Sequence, residues 1–259
     1  MLLQRVITAV IGVMMILVAV KLGGMWMAVF FAMIAAVSTL EIGTMMKVPL
    51  WSIESIIAVL YTVLMVIWPV FEHFWYILFY LLLALTIIRR KQFSFAGAGV
   101  LFAGALYSSY AFRTLLDLRQ MNYGVTWVLF VFFAIWATDT GAYFVGRAFG
   151  GRKLMPEISP KKTVSGAVGG VFLAIVVTTL FGCLSVTHGV QLWWQFAVVG
   201  AVISIFGQIG DLIESALKRN YAVKDSGWIL PGHGGILDRF DSLLLAAPIA
   251  YHLIIWLFK

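Results

Sequence analysis

Nine apolar stretches follow one another along the chain, separated by polar connections, and they constrain the fold more than any other feature. They cover residues 6–20, 25–46, 51–70, 74–88, 95–112, 125–146, 163–184, 192–210 and 240–258. A helix needs about 20 mostly apolar residues to cross a bilayer, and 63% of the 259 residues are hydrophobic. The sequence therefore predicts an all-α polytopic membrane protein with about nine transmembrane helices.

The basic residues indicate how the chain is oriented. In a nine-span arrangement, 14 of the 18 Lys and Arg residues fall on one side, and four fall on the other: Lys21, Arg113, Arg119 and Lys259. Because loops rich in Lys and Arg stay cytoplasmic, we expect a cytoplasmic N-terminus and a C-terminus outside. The net charge of +7 then reports topology, and no nucleic-acid partner is expected.

Polar residues concentrate in the second half of the chain. We expect residues 1–124 to form a scaffold of about five helices, and residues 125–259 to form a catalytic half with about four. The two halves belong to one integral membrane unit. Both long loops of the catalytic half, 147–162 and 211–239, fall on the predicted cytoplasmic face, where they can share one site. The single cysteine, Cys183, excludes an intramolecular disulfide.

Three carboxylates point to a metal site at the cytoplasmic edge. Asp238 and Asp241 are three residues apart, which places them on one face of a helix, and Asp211 ends the eighth apolar stretch. Hard oxygen ligands of this kind suit Mg²⁺. The alternative is that Asp238 caps the last helix and Asp241 pairs with Arg239 or Lys218.

The residues after Asp211 suggest an amphipathic continuation of the eighth helix, with Glu214, Ser215 and Lys218 on its polar stripe. Basic side chains in and after this stripe are candidate phosphate ligands: Lys218, Arg219, Lys224 and Arg239. Alternatively, these residues are solvated charges that only keep this loop on the cytoplasmic side.

The loop at residues 231–235 contains three glycines and leads into the last helix. Gly234 and Gly235 allow close approach of the backbone to a ligand, so backbone N–H groups at this helix start are candidate phosphate donors. His233 is a candidate ligand, proton shuttle or loop hydrogen-bonding group.

A second candidate anion site lies before the seventh apolar stretch. Ser159 followed by Pro160 is typical of a helix start, and the resulting helix N-terminus would carry Lys161 and Lys162. These lysines equally satisfy the positive-inside rule.

Two carboxylates fall inside apolar stretches, Glu41 in the second and Asp139 in the sixth. Because a charge in the membrane interior is costly, both are expected to face the protein interior or a polar cavity. Their roles stay open at this stage, and a transporter that uses them as intramembrane relays is one alternative.

The segment from Ser215 to Asp241 reads S-x-L-K-R-x4-K-D-x-G-x2-L-P-x-H-G-G-I-x-D-R-F-D. It resembles, position for position, the signature of the phosphatidate cytidylyltransferases. The nine-span pattern and the D-T-G-A-Y and S-P-K-K-T segments also resemble the bacterial members. The resemblance implies a homodimer in the bacterial inner membrane that makes CDP-diacylglycerol and pyrophosphate from CTP and phosphatidate.

The same resemblance implies that Asp211, Asp238 and Asp241 hold Mg²⁺ together with a second cation. For this reaction we expect a catalytic set of Lys218, Arg219, Lys224, Asp225, His233 and Arg239. We expect a substrate-binding set of Asp139, Ser159, Lys161, Lys162, Ser215, Gly234 and Gly235.

Two rival functions remain open beside this one. Another enzyme that uses CTP on a lipid, such as a polyprenol kinase, would present a similar polar site. A transporter would place its site near the membrane midplane, often between repeated halves, whereas this sequence has no evident repeat and gathers its charges at one face.

Overall fold

The structure, a computed structural model, describes residues 2–185, 192–229 and 234–258. Within these ranges the chain forms α1 (Leu2–Leu22), α2 (Gly24–Met45), α3 (Ile53–Ile67), a 3₁₀ helix (Pro69–Phe74), α4 (Trp75–Ile88), α5 (Phe95–Gln120), α6 (Gly124–Phe149), β1 (Lys153–Met155), β2 (Ser159–Thr163), α7 (Val164–Ser185), α8 (Trp193–Asn220) and α9 (Leu237–Leu257).

The helices confirm the predicted class of polytopic membrane protein. Among the described residues, seven helical segments are long and apolar enough to cross a membrane. The first and third predicted spans correspond to shorter apolar helices, Val6–Leu22 and Ile53–Ile67. The count of nine spans and the orientation of the termini stay predictions.

The prediction of a helix start at Ser159 is wrong. Residues Ser159–Thr163 form β2, which pairs antiparallel with β1. The proline at position 160 disfavours helical backbone at the residue before it, and pairing with β1 then makes that segment a strand. Helix α7 begins at Val164, and Thr163 caps it, because the Gly166 N–H donates to Thr163 Oγ1 at 3.1 Å.

The chain divides into two compact units. The first comprises Met1–Leu116 and Asn220–Phe240, and the second comprises Asp117–Arg219 and Asp241–Lys259. The segment 220–240, which we predicted to belong to the catalytic half, therefore packs within the unit that contains the N-terminal helices. The functional division into scaffold and catalytic halves stays a prediction.

The first unit has a core built from α3, α4 and α5, with Tyr61, Leu82 and Leu101 among its buried residues. Two ion pairs in this unit each join one buried charge to a partly exposed partner. Arg113, which we expected in an outer loop, lies inside α5 and is 3% exposed, with its Nε atom 3.3 Å from Glu72. Pairing compensates the cost of burying a guanidinium among apolar helices.

In the second unit, α6 and α7 pack along a seam of glycines. A Cβ atom added at Gly169 would lie 2.4 Å from Val145 Cβ, and one added at Gly141 would lie 2.6 Å from the Gly169 carbonyl oxygen. Small residues at such positions let helix backbones approach closely. The seam fixes α6, which carries Asp139, against α7.

We expect Gly169→Ala to destabilise the protein by about 1–3 kcal/mol, because the added methyl group overpacks the seam. Thermal unfolding of the purified protein in detergent measures the change. Gly99→Ala in α5 is the matched control, since a Cβ at Gly99 meets nothing within 4 Å. Equal stability of the two variants would contradict close α6–α7 packing.

Candidate active site

Two polar clusters stand out, one in each unit. In the second unit, Asp139 of α6, Lys162 of β2, Asp211 of α8 and Asp241 of α9 form what we call the acidic cluster. In the first unit, Glu41 of α2, Ser226 and residues 235–238 form what we call the loop network. Each cluster is described separately below.

The acidic cluster centres on Asp211 and Asp241. Lys162 Nζ lies 2.5 Å from Asp211 Oδ2, and Ser215 Oγ donates to Asp211 Oδ1 at 3.3 Å. The Asp241 carboxylate interacts electrostatically with Asp211, Asp139 and Lys162. Four elements that are distant in sequence thus bring together three carboxylates and one ammonium group.

The acidic cluster has more negative than positive charge. Because Asp211 and Asp139 both repel the Asp241 carboxylate, a cation bound beside them would lower this repulsion. Among the described residues, no three His, Cys, Asp or Glu side chains lie close enough to enclose a metal ion by themselves. Mg²⁺ is usually held by one or two carboxylates, with waters and substrate phosphates completing the shell. Asp211 and Asp241 fit this pattern.

The strand β2 explains why the adjacent lysines Lys161 and Lys162 differ in exposure and in contacts. Successive side chains of a strand point to opposite faces. Lys161 is exposed, whereas Lys162 is partly buried and reaches Asp211. Ser159, at the start of the strand, is partly buried. The structure therefore brings Lys162 into the acidic cluster and leaves Lys161 at the surface of the hairpin.

Helix α8 continues past Asp211, as the amphipathic stripe predicted. Lys218 Nζ lies 2.5 Å from Oε2 of Glu214, whose side chain is 2% exposed, so a buried carboxylate partly neutralises this lysine. Arg219 is exposed and its Nε donates to the Ile158 carbonyl at 3.2 Å, which ties the end of α8 to the β1–β2 turn. Both residues stay candidate phosphate ligands.

The loop network has Glu41 at its centre. Glu41 Oε1 accepts a hydrogen bond from the Ile236 N–H at 2.9 Å, and Oε2 accepts from the Leu237 N–H at 2.8 Å. Oε2 also accepts from Ser226 Oγ at 2.9 Å. A side chain from α2 therefore caps the start of α9, where backbone N–H groups otherwise lack helical partners.

Asp238 completes this network from the first turn of α9. Its Oδ2 atom accepts from Ser226 N at 2.9 Å and from Gly235 N at 2.9 Å. It also lies 3.0 Å from Ser226 Oγ, whose single hydroxyl proton is shared between Asp238 and Glu41. Asp238 therefore stabilises the residues before α9, which differs from the N-cap role considered as an alternative, because an N-cap side chain accepts from N–H groups two or three residues later. Its assignment as a metal ligand stays a prediction.

The same contacts change the interpretation of the glycine loop. We predicted that backbone N–H groups at the start of α9 bind a phosphate, but those of Gly235, Ile236 and Leu237 already donate to Asp238 and Glu41. Gly234 has a positive φ of 82°, which favours glycine. A nucleotide contact by Gly234 or Gly235 stays a prediction.

The remaining predicted residues lie in or near this loop. Lys224, Asp225 and Arg239 are exposed. His233 lies outside the described residues. Sequence reasoning did not single out Ser226, which occupies an unspecified position of the signature, or Thr163, which caps α7. It flagged Glu41 only by the cost of a carboxylate in an apolar helix.

Comparison with known proteins places the chain among relatives of nearly the same length. The model of the cytidylyltransferase family matches residues 3–257. A protein of Bacillus subtilis named phosphatidate cytidylyltransferase is 37% identical over 97% of both chains. Proteins of the same name from Staphylococcus saprophyticus and Staphylococcus epidermidis are 36% and 35% identical over 97% of this chain and 98% of theirs. The chain belongs to the cytidylyltransferase family.

Proposed function

We propose that the protein transfers the cytidylyl group of CTP to phosphatidate, giving CDP-diacylglycerol and pyrophosphate for phospholipid synthesis. The near full-length similarity to phosphatidate cytidylyltransferases supports this substrate pair. The observation that carries the proposal is the acidic cluster. Its carboxylates, Asp211 and Asp241, can bind a cation, and its lysine, Lys162, can bind a phosphate, in a multi-pass membrane protein.

In the proposed reaction, a phosphate oxygen of phosphatidate attacks the α-phosphorus of CTP, and pyrophosphate leaves in line. The second pKa of a phosphate monoester is near 6, so the lipid phosphate is already largely ionised at neutral pH. The protein then needs no strong general base. Its tasks are to orient two anionic reactants and to neutralise their charge, as in other phosphoryl transfers.

Asp211 and Asp241 would hold Mg²⁺, with Asp139 beside them and Asp238 as a further proposed ligand. When bound, the ion supplies charge neutralisation for the nucleotide phosphates. A second cation belongs to the same proposal. Ser215 and Lys162 orient the Asp211 carboxylate through the contacts described above.

The basic residues are proposed to neutralise the substrates. Lys162 would meet a phosphate oxygen when CTP enters, exchanging part of its contact with Asp211 for the nucleotide. Arg219, Lys224 and Arg239 are exposed and would steer both anionic substrates. Asp225, His233, Ser159, Lys161, Gly234 and Gly235 complete the proposed set, together with Lys218.

We also propose that the protein resides in a bacterial cytoplasmic membrane as a homodimer, with its N-terminus and active site in the cytoplasm. The 14-to-four segregation of basic residues supports the orientation. Cytoplasmic CTP and a lipid phosphate at the interface would then meet on the same side.

The position of a radioactive label tests this function against its nearest rival. Purified protein is incubated with phosphatidate, or with a lipid alcohol, and CTP labelled at either the α or the γ phosphorus. We expect the α-label in lipid product with phosphatidate alone, and the γ-label in pyrophosphate. A γ-label in lipid would identify a CTP-dependent kinase instead. Absence of turnover, with flux of a solute across sealed vesicles, would favour a transporter.

A further inference from the structure

The strongest unexplained feature is the buried carboxylate of Glu41. It lies in α2, is 3% exposed and accepts hydrogen bonds from Ile236 N, Leu237 N and Ser226 Oγ. All three are donors, and a carboxylate is a group that only accepts. A carboxylate inside an apolar helix is costly, and here the donors of the loop compensate that cost.

Two glycines of the loop fit closely around this carboxylate. A Cβ atom added at Gly227 would lie 2.4 Å from Glu41 Oε1, 2.8 Å from its Cδ and 3.1 Å from its Cγ. One added at Gly235 would lie 2.0 Å from Ser226 Oγ and 2.5 Å from Glu41 Oε2. A side chain at Gly227 would displace Glu41, and one at Gly235 would displace both Ser226 and Glu41. The space taken by Glu41 and Ser226 thus accounts for glycine at both positions.

The network also links Glu41 to the first turn of α9. The Ser226 hydroxyl lies between Glu41 Oε2, at 2.9 Å, and Asp238 Oδ2, at 3.0 Å. The hydrogen bonds to Glu41 and Asp238 therefore fix both ends of the loop, at Ser226 and at Gly235 to Leu237. Asp225 directly precedes Ser226, and Arg239 directly follows Asp238. Two of the residues proposed to act on the substrates therefore flank the residues that this network fixes.

We infer that Glu41 is a positioning residue for cytidylyl transfer, acting from α2 through the backbone of the loop that precedes α9. It touches neither substrate in this role. It holds Ser226, Ile236 and Leu237 in place, so that the neighbouring Asp225, Asp238 and Arg239 keep a fixed arrangement. This inference rests on the proposed function, because the reaction it serves is the transfer from CTP to phosphatidate.

The first test is Glu41→Gln, which keeps the side-chain volume and presents an amide NH₂ where a donor is already present. At least one of the three loop donors then loses its acceptor. We expect kcat to fall about 10²-fold, the cost of a small misplacement in an organised site, while the Michaelis constants for CTP and phosphatidate stay unchanged. Amide exchange of the peptides that cover residues 224–240 should accelerate.

Glu54→Gln is the matched control. Glu54 is also a buried glutamate of an apolar helix in the same unit, is 2% exposed and pairs with Arg89 at 3.2 Å. We expect this variant to lose thermal stability without a change in kcat. If both variants lose activity in proportion to stability, or if Glu41→Gln raises only the Michaelis constants, the inference is overturned.

A double-mutant cycle tests the steric part. Gly227→Ala should be nearly inactive, because its methyl group meets Glu41. Glu41→Asp shortens the side chain by one methylene, so the double variant Glu41→Asp/Gly227→Ala should be more active than Gly227→Ala alone. If the two substitutions lower kcat by independent factors that multiply, the contact between Gly227 and Glu41 has no part in the activity.

The activity of the wild-type protein in the same assay distinguishes failure of the proposed function from failure of the positioning role. If the wild-type protein shows no turnover, the proposed function is rejected. If Glu41→Gln is fully active, only the positioning role is rejected.

Discussion

Asp241→Asn is expected to lower kcat for cytidylyl transfer by about 10²–10³-fold, the loss typical of removing one charge-stabilising group from a catalytic site. The amide keeps the size of the side chain but removes its charge from the acidic cluster with Asp211 and Asp139. An uncharged amide oxygen is a weaker ligand for a hard cation. Initial rates of CDP-diacylglycerol formation over a range of Mg²⁺ concentrations measure the effect.

Glu157→Gln is the control for this experiment. Glu157 is an exposed carboxylate in the β1–β2 turn of the same unit, so its removal changes the net charge of the protein equally but leaves the acidic cluster intact. We expect wild-type rates and Mg²⁺ dependence. A folded Asp241→Asn protein with wild-type kcat would show that the acidic cluster has no part in the reaction.

Lys162→Met is expected to raise the Michaelis constant for CTP by about 10–10²-fold, since a hydrogen bond to a charged group contributes about 1.5–3 kcal/mol. The half-saturating Mg²⁺ concentration should fall, because the cluster loses the ammonium group of Lys162 and becomes more negative. Methionine retains the length and apolar stem of the lysine. The two opposite shifts, measured in one set of initial rates, distinguish a loss of charge from a loss of structure.

Lys153→Met serves as the control, since Lys153 is an exposed lysine on β1, opposite Thr163 in the hairpin. It should leave both constants unchanged. An unchanged Michaelis constant for CTP in Lys162→Met would contradict the proposed phosphate contact. A rise in the Mg²⁺ requirement would contradict the net negative charge that we assign to the acidic cluster.

Local sequence patterns predicted the helices well where the apolar and polar residues alternate with helical spacing over many residues. The polar stripe from Asp211 to Lys218 predicted that the eighth helix continues beyond its apolar part, and α8 indeed runs from Trp193 to Asn220. We predicted that Asp238 and Asp241 lie at the start of the last helix, and both lie in α9. These features depend on residues within a few turns of each other.

The hairpin before α7 shows where local patterns fail. Ser159 followed by Pro160 is compatible with a helix start and with an extended segment, and pairing with β1 decides between them. The consequence for the site is large, because strand alternation separates Lys161 from Lys162. The predicted anion site at a helix N-terminus is replaced by an ion pair between Lys162 and Asp211.

The role of Glu41 could not be predicted because its partners are distant in sequence. Ser226 follows it by 185 residues and Leu237 by 196. The apolar context predicted only that the carboxylate faces inward. The glycines of the signature suggested a phosphate-binding loop, yet Gly227 and Gly235 make room for a carboxylate of the protein itself.

The fate of labelled oxygen tests the central claim most directly. Phosphatidate carrying oxygen-18 at its three non-ester phosphate oxygens is converted with unlabelled CTP, and both products are analysed by mass spectrometry. Attack of the lipid phosphate on the α-phosphorus predicts that all three labels appear in CDP-diacylglycerol and none in pyrophosphate. Label in pyrophosphate, or its loss from the lipid product, would show that the phosphatidate phosphate is not the nucleophile and would contradict the proposed reaction.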